Sequence, residues 1–215
     1  AISGFYKVIS LLLNDFGLKS SFFSIIDLSQ LPIYIQLLVF FVILDFFQWF
    51  THVLLHKYSF LWHFHKIHHS VKEMGFAAHL RYHWMENIFY KPLKTLAVML
   101  IGGFEPEHAY VVHFIAITIG HLNHANIKIT WGPVKYIFNN PVMHLYHHSY
   151  FLPSNRYGVN FGISLSIWDY LFKTNYIPEE SGEILLGFEG DDKIPSTFWG
   201  QITHGFTKNR SKKAS

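Results

Sequence analysis

The chain has 215 residues, the size of one domain built on one core. Half of them are hydrophobic, 19% are aromatic and only 14% are charged, with a net charge of +3; set against a usual charged share of roughly 25%, this excludes a disordered chain, a coiled coil and a basic nucleic-acid-binding surface. A mean hydropathy of +0.19, with 16 histidines and no cysteine, points to a membrane protein with a substantial wet part and rules out disulfides, thiolate zinc sites and Cys-ligated iron–sulfur clusters.

Residues 5–13 (FYKVISLLL) are apolar but too short to span a bilayer. They predict an interfacial segment, joined to the rest by a polar, Ser-rich connector, and no cleavable leader pattern is visible. Leu31 to Phe50 is the strongest span. At about 1.5 Å per residue it matches the roughly 30 Å hydrocarbon core, and Pro32 suits a first helical turn. Its one charge, Asp45, should face the protein interior with a partner. Beyond Phe50 the pattern continues as THVLLHKYSFLWHFHKIHH, where polar residues take over and the helix leaves the lipid. Tyr82–Phe104 and Glu107–Asn123 predict a helical hairpin with its turn at 102–107, either shallowly inserted or crossing twice. From Trp131 onward the chain reads as soluble, broken at Gly132-Pro133 and Pro153. The basic tail of Lys208, Arg210, Lys212 and Lys213 places the C-terminus in the cytoplasm by the positive-inside rule. The expected fold is all-α: an integral membrane helical bundle with a cytoplasmic, histidine-rich di-metal cap. It forms a single domain over 1–215, with an N-terminal interfacial and connector segment at 1–30, a membrane core at 31–175 and a soluble basic tail at 176–215.

The histidines fall into clusters: His52 and His56; His65, His68 and His69; His121 and His124; His144, His147 and His148. Spacings of three and four share a helical face, so an i, i+4 pair can aim two imidazoles at one metal, and HxxHH adds a third from the adjacent position. So many imidazoles exceed what one four-coordinate zinc takes and imply two metals. Imidazole alone does not choose among iron, zinc, copper and nickel. The scattered His63, His79, His108, His113 and His204 read as packing residues. Read by themselves, these residues admit a non-catalytic membrane metal-binding or transport protein and a zinc-dependent membrane hydrolase. Transport would want ionisable residues along several spans, where only Asp45 qualifies. A hydrolase would want a glutamate within the motif, as in HExxH, and none is present.

Read together, Asp45-x6-His52-x3-His56, LWHFHKIHHS (61–70), Arg81-Tyr82-His83, HANI (124–127), Pro141-x2-His144-x2-His147-His148 and NFGISLSIWDYLFKT (160–174) resemble the fatty acid hydroxylase/sterol desaturase superfamily of membrane histidine-box di-iron oxygenases. The likeness covers about 40–175 and is strongest to short prokaryotic-type members. It implies ligand roles for His52, His56, His65, His68, His69, His144, His147 and His148. His83 and His124 would complete the two spheres, with His121 as an extra ligand and no catalytic residue beyond the ligands. Asp45, Glu86, Asn160 and Asp169 are the candidates to support them from behind. Trp84 stands where the superfamily usually has Pro, and Lys173 where it usually has Gly.

The resemblance further implies two iron ions, replaceable by zinc on overexpression, with O2 as co-substrate. The substrate would be a lipid (fatty acyl, sterol or isoprenoid), hydroxylated or desaturated, reaching the site from the bilayer past Phe40, Phe41, Phe46, Phe47, Trp49 and Phe50. With no cysteine, no GxGxxG and no segment outside 40–175 long enough for a cytochrome domain, electrons must come from an external donor, cytochrome b5 or a ferredoxin with its reductase. Lys57, Lys66, Lys72 and the 208–213 segment are candidates to steer it. The membrane would be the bacterial inner membrane, or the endoplasmic reticulum, whose dilysine signal the final Lys212-Lys213-Ala214-Ser215 matches.

Overall fold

A computed structural model describes residues 2–17, 24–102, 106–153, 156–178 and 183–206. The basic tail from Lys208 lies outside the described residues. Among the described residues eight α-helices run in chain order: α1 Ile2–Asp15, α2 Ile33–Lys57, α3 Ser59–His69, α4 Glu86–Leu100, α5 Pro106–Asn123, α6 Pro141–His147, α7 Ile167–Leu171 and α8 Phe198–Ile202. The strand content is a two-residue parallel pair, β1 Ile26–Asp27 with β2 Ile101–Gly102, which pins the segment before α2 to the tip of the α4–α5 hairpin.

α2 organises the fold. It is the one helix among the described residues long and apolar enough to cross a membrane. Pro32 caps it from outside rather than opening its first turn. Its buried residues form a stripe that winds round the helix, since each step of four residues advances about 40°: Gln36, Phe40 and Leu44, then Asp45, Trp49, Thr51, His52, Leu55 and His56. The first half of the stripe packs Phe40 and Leu44 against Ala97 of α4 and Ala109 and Val112 of α5. The second half carries histidine. Side chains off the stripe, such as Tyr34, Leu38 and Phe50, stay exposed.

The chain turns at Tyr58, whose backbone is extended at φ −101° and ψ 123°, and α3 folds back beside α2. Two helices, α4 and α5, stand where the hairpin was expected, each packing against α2 and α1; of the expected turn at 102–107, residues 103–105 lie outside the described residues. α4 has 15 residues and reaches about 22 Å, short of a roughly 30 Å hydrocarbon core. The first helix, α1, packs against both hairpin arms. After α5 the backbone is largely irregular, and it is nonetheless buried at Val159, Asn160, Phe161 and Ser164.

Asp45 faces the protein interior with partners, as its place in an apolar run required. Buried, it accepts hydrogen bonds from the Ser164 and Leu165 amides, both at 3.2 Å, and from Trp168 Nε1 at 3.0 Å. Asp169 makes the reciprocal tie, accepting from Trp49 Nε1 at 3.0 Å and from the Phe161 and Gly162 amides at 2.9 and 2.8 Å. These two carboxylates bind the late loop to α2. The aromatics around them interlock: Phe46 meets Trp168 edge-on at 5.1 Å and Trp49 stacks on Phe172 at 4.6 Å. Their ring contacts hold the late loop against α2.

Lys173, just past α7, adopts φ 58°, a left-handed conformation that favours glycine. This accounts physically for the glycine expected there. Lys173→Gly is expected to stabilise the fold by about 1 kcal/mol, read as a higher thermal midpoint in detergent. An unchanged or lower midpoint contradicts it.

Candidate metal centre

The structure gathers nine histidines into two buried groups. His52, His56, His65, His69 and His147 form one; His68, His124, His144 and His148 form the other; within each, the ligand atoms all lie within 4.8 Å of one another. The HxxHH triplets do not each serve one metal, as their spacing suggested. His65 and His69 join one group while His68 joins the other, and His144 and His148 part from His147 in the same way. At about 100° per residue, i and i+4 differ by roughly 40° and share a face, whereas adjacent residues diverge by about 100°. Each triplet therefore bridges both groups.

The ring nitrogens show what these groups are built to hold. Nδ1 of His52 lies 2.7 Å from the Phe161 carbonyl, and Nδ1 of His65 lies 2.9 Å from Glu86 Oε2. Nδ1 of His68 meets the Arg81 carbonyl at 3.0 Å, that of His124 the Gly120 carbonyl at 2.7 Å and that of His147 the Val159 carbonyl at 2.7 Å. An acceptor at Nδ1 places the proton there and leaves Nε2 as a lone pair. Yet the Nε2 atoms of His52 and His65 face each other at 3.1 Å, and those of His68 and His124 at 3.2 Å. Two lone pairs so placed repel unless a cation sits between them. Nε2 of His56, His69 and His147, Nδ1 of His144 and both nitrogens of His148 are buried with no hydrogen-bond partner, which is costly for polar atoms. The donor set thus fits two metal ions, with outer acceptors orienting the rings.

Burial keeps the imidazoles neutral. Desolvation, helped by neighbouring imidazoles in the case of His68, takes His65 and His68 from an ordinary 6.5 down to about 3. The same cause holds His69, His144, His147 and His148 well below the usual value.

Two candidate ligands lie outside the groups. His83 spends its nitrogens elsewhere: Nε2 on the Ile202 carbonyl at 2.7 Å, while Nδ1 accepts from the Met85 amide at 3.1 Å. His121 stacks on Phe76 at 4.0 Å and bonds the Phe76 carbonyl through Nδ1. Among the candidate supports, Glu86 touches a group member directly and also accepts from the His83 amide at 3.0 Å. Asp169 acts one step removed, by fixing Phe161, whose carbonyl orients His52. Asn160, at φ 52°, donates to the carbonyls of Met143 and Tyr176 at 2.9 and 2.7 Å and so joins α6 to the late loop.

Sequence reasoning missed the orienting carbonyls, since any residue offers one. It also passed over His79, read as packing. The His79 ring stacks on His124 at 4.7 Å and occupies the space above Gly120, where a Cβ would come within 2.4 Å of its ring. A cavity of about 410 Å³ opens against both groups, with His52, His65, His68 and His124 in its wall beside His79 and Glu86. A smaller one of about 110 Å³ shares Gln48, His79, Lys94 and His113 with it and continues to Phe41, Leu44 and Asp45. Of the aromatics expected along a lipid path, Phe41 reaches these cavities.

A helical scaffold carrying two buried polyhistidine groups beside a half-open cavity defines a histidine-box protein whose groups can hold metal. The chain belongs to the fatty acid hydroxylase family, whose profile matches residues 37–174. It is 30% identical over 184 residues to the ornithine lipid hydroxylase OlsE of Rhizobium tropici, covering 86% of this chain and 54% of that protein. It is 28% identical over 171 residues to the alkylglycerol monooxygenase of Caenorhabditis elegans (77% and 29%) and 29% identical over 137 residues to the human alkylglycerol monooxygenase (60% and 28%). The chain thus spans about half the length of the first of these relatives and under a third of the other two. No solved structure matches it.

Metal analysis of purified protein is expected to find two ions per chain. His147→Ala should lower that number and His121→Ala should not. Glu86→Gln, which leaves His65 without its anionic acceptor, should weaken metal binding by about 10–100-fold, measured by chelator competition. Metal-free protein is expected to be most stable above pH 6.5 and to lose stability as pH falls from there towards about 3, because the unfolded chain takes up protons that the folded site refuses. Thermal unfolding of chelated protein across that range checks this; a flat profile contradicts it.

Proposed function

We propose that this protein is a membrane-embedded di-iron oxygenase that hydroxylates a lipid at an unactivated C–H bond, with O2 as co-substrate. The observation that carries the reading is the pair of buried, neutral, all-imidazole groups whose members line one internal cavity. His52, His56, His65, His69 and His147 would hold one iron; His68, His124, His144 and His148 would hold the other. Zinc would replace them on overexpression. The irons would supply reduction of O2 and abstraction of a substrate hydrogen.

The chain supplies the rest. Glu86 and the carbonyls of Arg81, Gly120, Val159 and Phe161 fix the rings, while Phe161 and Leu55, fully buried, exclude water from the ligand cluster. The substrate reaches the cavity between α2, α4 and α5 from the bilayer. The relatives are named for hydroxylation of an ornithine lipid and monooxygenation of alkylglycerol, which favours hydroxylation over desaturation. Hydrolysis is disfavoured because the cavity's carboxylates, Glu86 and Asp45, have their oxygens engaged by donors, leaving neither as a free base.

α2 spans the membrane and the α4–α5 hairpin packs against it. The metal centre then lies at the end of α2 marked by Lys57, and the basic tail supports a cytoplasmic placement. With no cysteine in the chain, electrons come from an external donor such as cytochrome b5 or a ferredoxin. It docks near the exposed Lys57 and the partly exposed Lys66. Lys72 contributes less, since its charge is paired with Asp191.

Reconstitution in lipid nanodiscs with isotope-labelled O2 tests the reading. The expected product is the lipid plus one oxygen atom from O2, formed only when a donor chain accompanies NADPH. Oxygen drawn from water, or turnover with NADPH and no added protein, overturns it.

A further inference from the structure

The cavity beside the histidines contains a cation that no close ion pair meets among the described residues, the charge of Asp45 acting on it only from a distance. Lys94 lies in α4 and lines both the larger and the smaller cavity. Its amino group sits 5.5 Å from the centroid of the Tyr90 ring, its own helix neighbour. Two carboxylates share the cavity wall, and both have other partners. Asp45 accepts from Ser164, Leu165 and Trp168; Glu86 accepts from the His83 amide and holds His65. Among the described residues neither ion pair includes Lys94. The other polar groups on the wall nearby, Gln48 of α2, His113 of α5 and Lys91 one turn earlier on α4, bring no negative charge.

An ammonium group between helices is expensive unless something anionic meets it. Lys94 could be replaced by an apolar residue with a gain in stability if it served packing alone. Its position also matters, because the cavity it lines has members of both metal groups on its wall. We propose that the lipid enters this cavity with an anionic head group, a carboxylate or a phosphate, and that Lys94 binds this group, with Gln48 and His113 as further hydrogen-bond partners. Anchoring the head fixes which carbon of the substrate lies against the metal centre, so Lys94 is a specificity-determining residue. That it is a substrate which binds rests on the oxygenase reading; the anion site itself does not need turnover.

The test is equilibrium binding to the purified, metal-loaded full chain in nanodiscs, with palmitate, lysophosphatidate and the neutral hexadecanol as probes. Wild type is expected to bind at least one anionic probe about tenfold or more tightly than hexadecanol, and the anion preferred identifies the head-group chemistry. Lys94→Met should abolish the preference while keeping hexadecanol affinity, metal content and an equal or higher thermal midpoint. Lys94→Arg should retain it. Equal affinity for anionic and neutral probes, or a preference that survives in Lys94→Met, overturns the proposal. If Lys94→Met fails to fold, Lys94→Gln set against Lys94→Arg decides on the same criterion. A Lys94-dependent preference with no O2-dependent product leaves this site standing and overturns the oxygenase reading instead.

Discussion

Imidazole lone pairs that face one another across about 3 Å are the constraint on which this architecture turns. His52 and His65 have spent their Nδ1 protons on Phe161 and Glu86, and His68 and His124 have spent theirs on Arg81 and Gly120. Their opposed Nε2 atoms have no proton left to share. A cation converts each opposition into a pair of bonds, and without one the site is a cluster of buried, unsatisfied nitrogens. The fold must therefore hold the rings in place by means other than the rings' own attraction.

It does so with backbone and carboxylates drawn from far along the sequence. The irregular segment from Val159 to Leu165 supplies the carbonyls behind His147 and His52, yet has no regular structure to hold itself. Asp45 and Asp169 perform that task by accepting its amides. Buried backbone donors need partners, and here one partner comes from the middle of the membrane-length helix and the other from the short helix that closes the motif. The Trp49–Asp169 and Trp168–Asp45 bonds cross-brace the two.

A single stripe on α2 connects the apolar bundle to the metal centre. Phe40 and Leu44 pack against α4 and α5, and His52 and His56 follow further along, roughly 80–160° round the helix. A shift of α2 against α4 and α5 would move ligands and cavity wall together, so hydrophobic packing and metal geometry are coupled through one rigid element. The cavities lie along this junction, with Phe41 and Leu44 at one end and the histidines at the other.

The order and spacing of the histidines, read from the sequence, named the family and the nine residues the structure gathers, because i, i+4 geometry is local and a helix enforces it wherever it forms. The long span and the hairpin were legible for the same reason: apolar runs and breakers act over a few residues. Three things depended on tertiary structure. One was the division of each HxxHH between two groups, which follows from where the facing helices lie and not from spacing alone. Another was the exclusion of His83 and His121, whose nitrogens find carbonyls and an amide that no sequence pattern announces. The last was the part played by Asp45, which reads in the sequence as one charge inside an apolar run; only packing shows that it is fully engaged by a loop about 120 residues away. Packing alone also places Lys94 on the wall of the cavity that the ligands line.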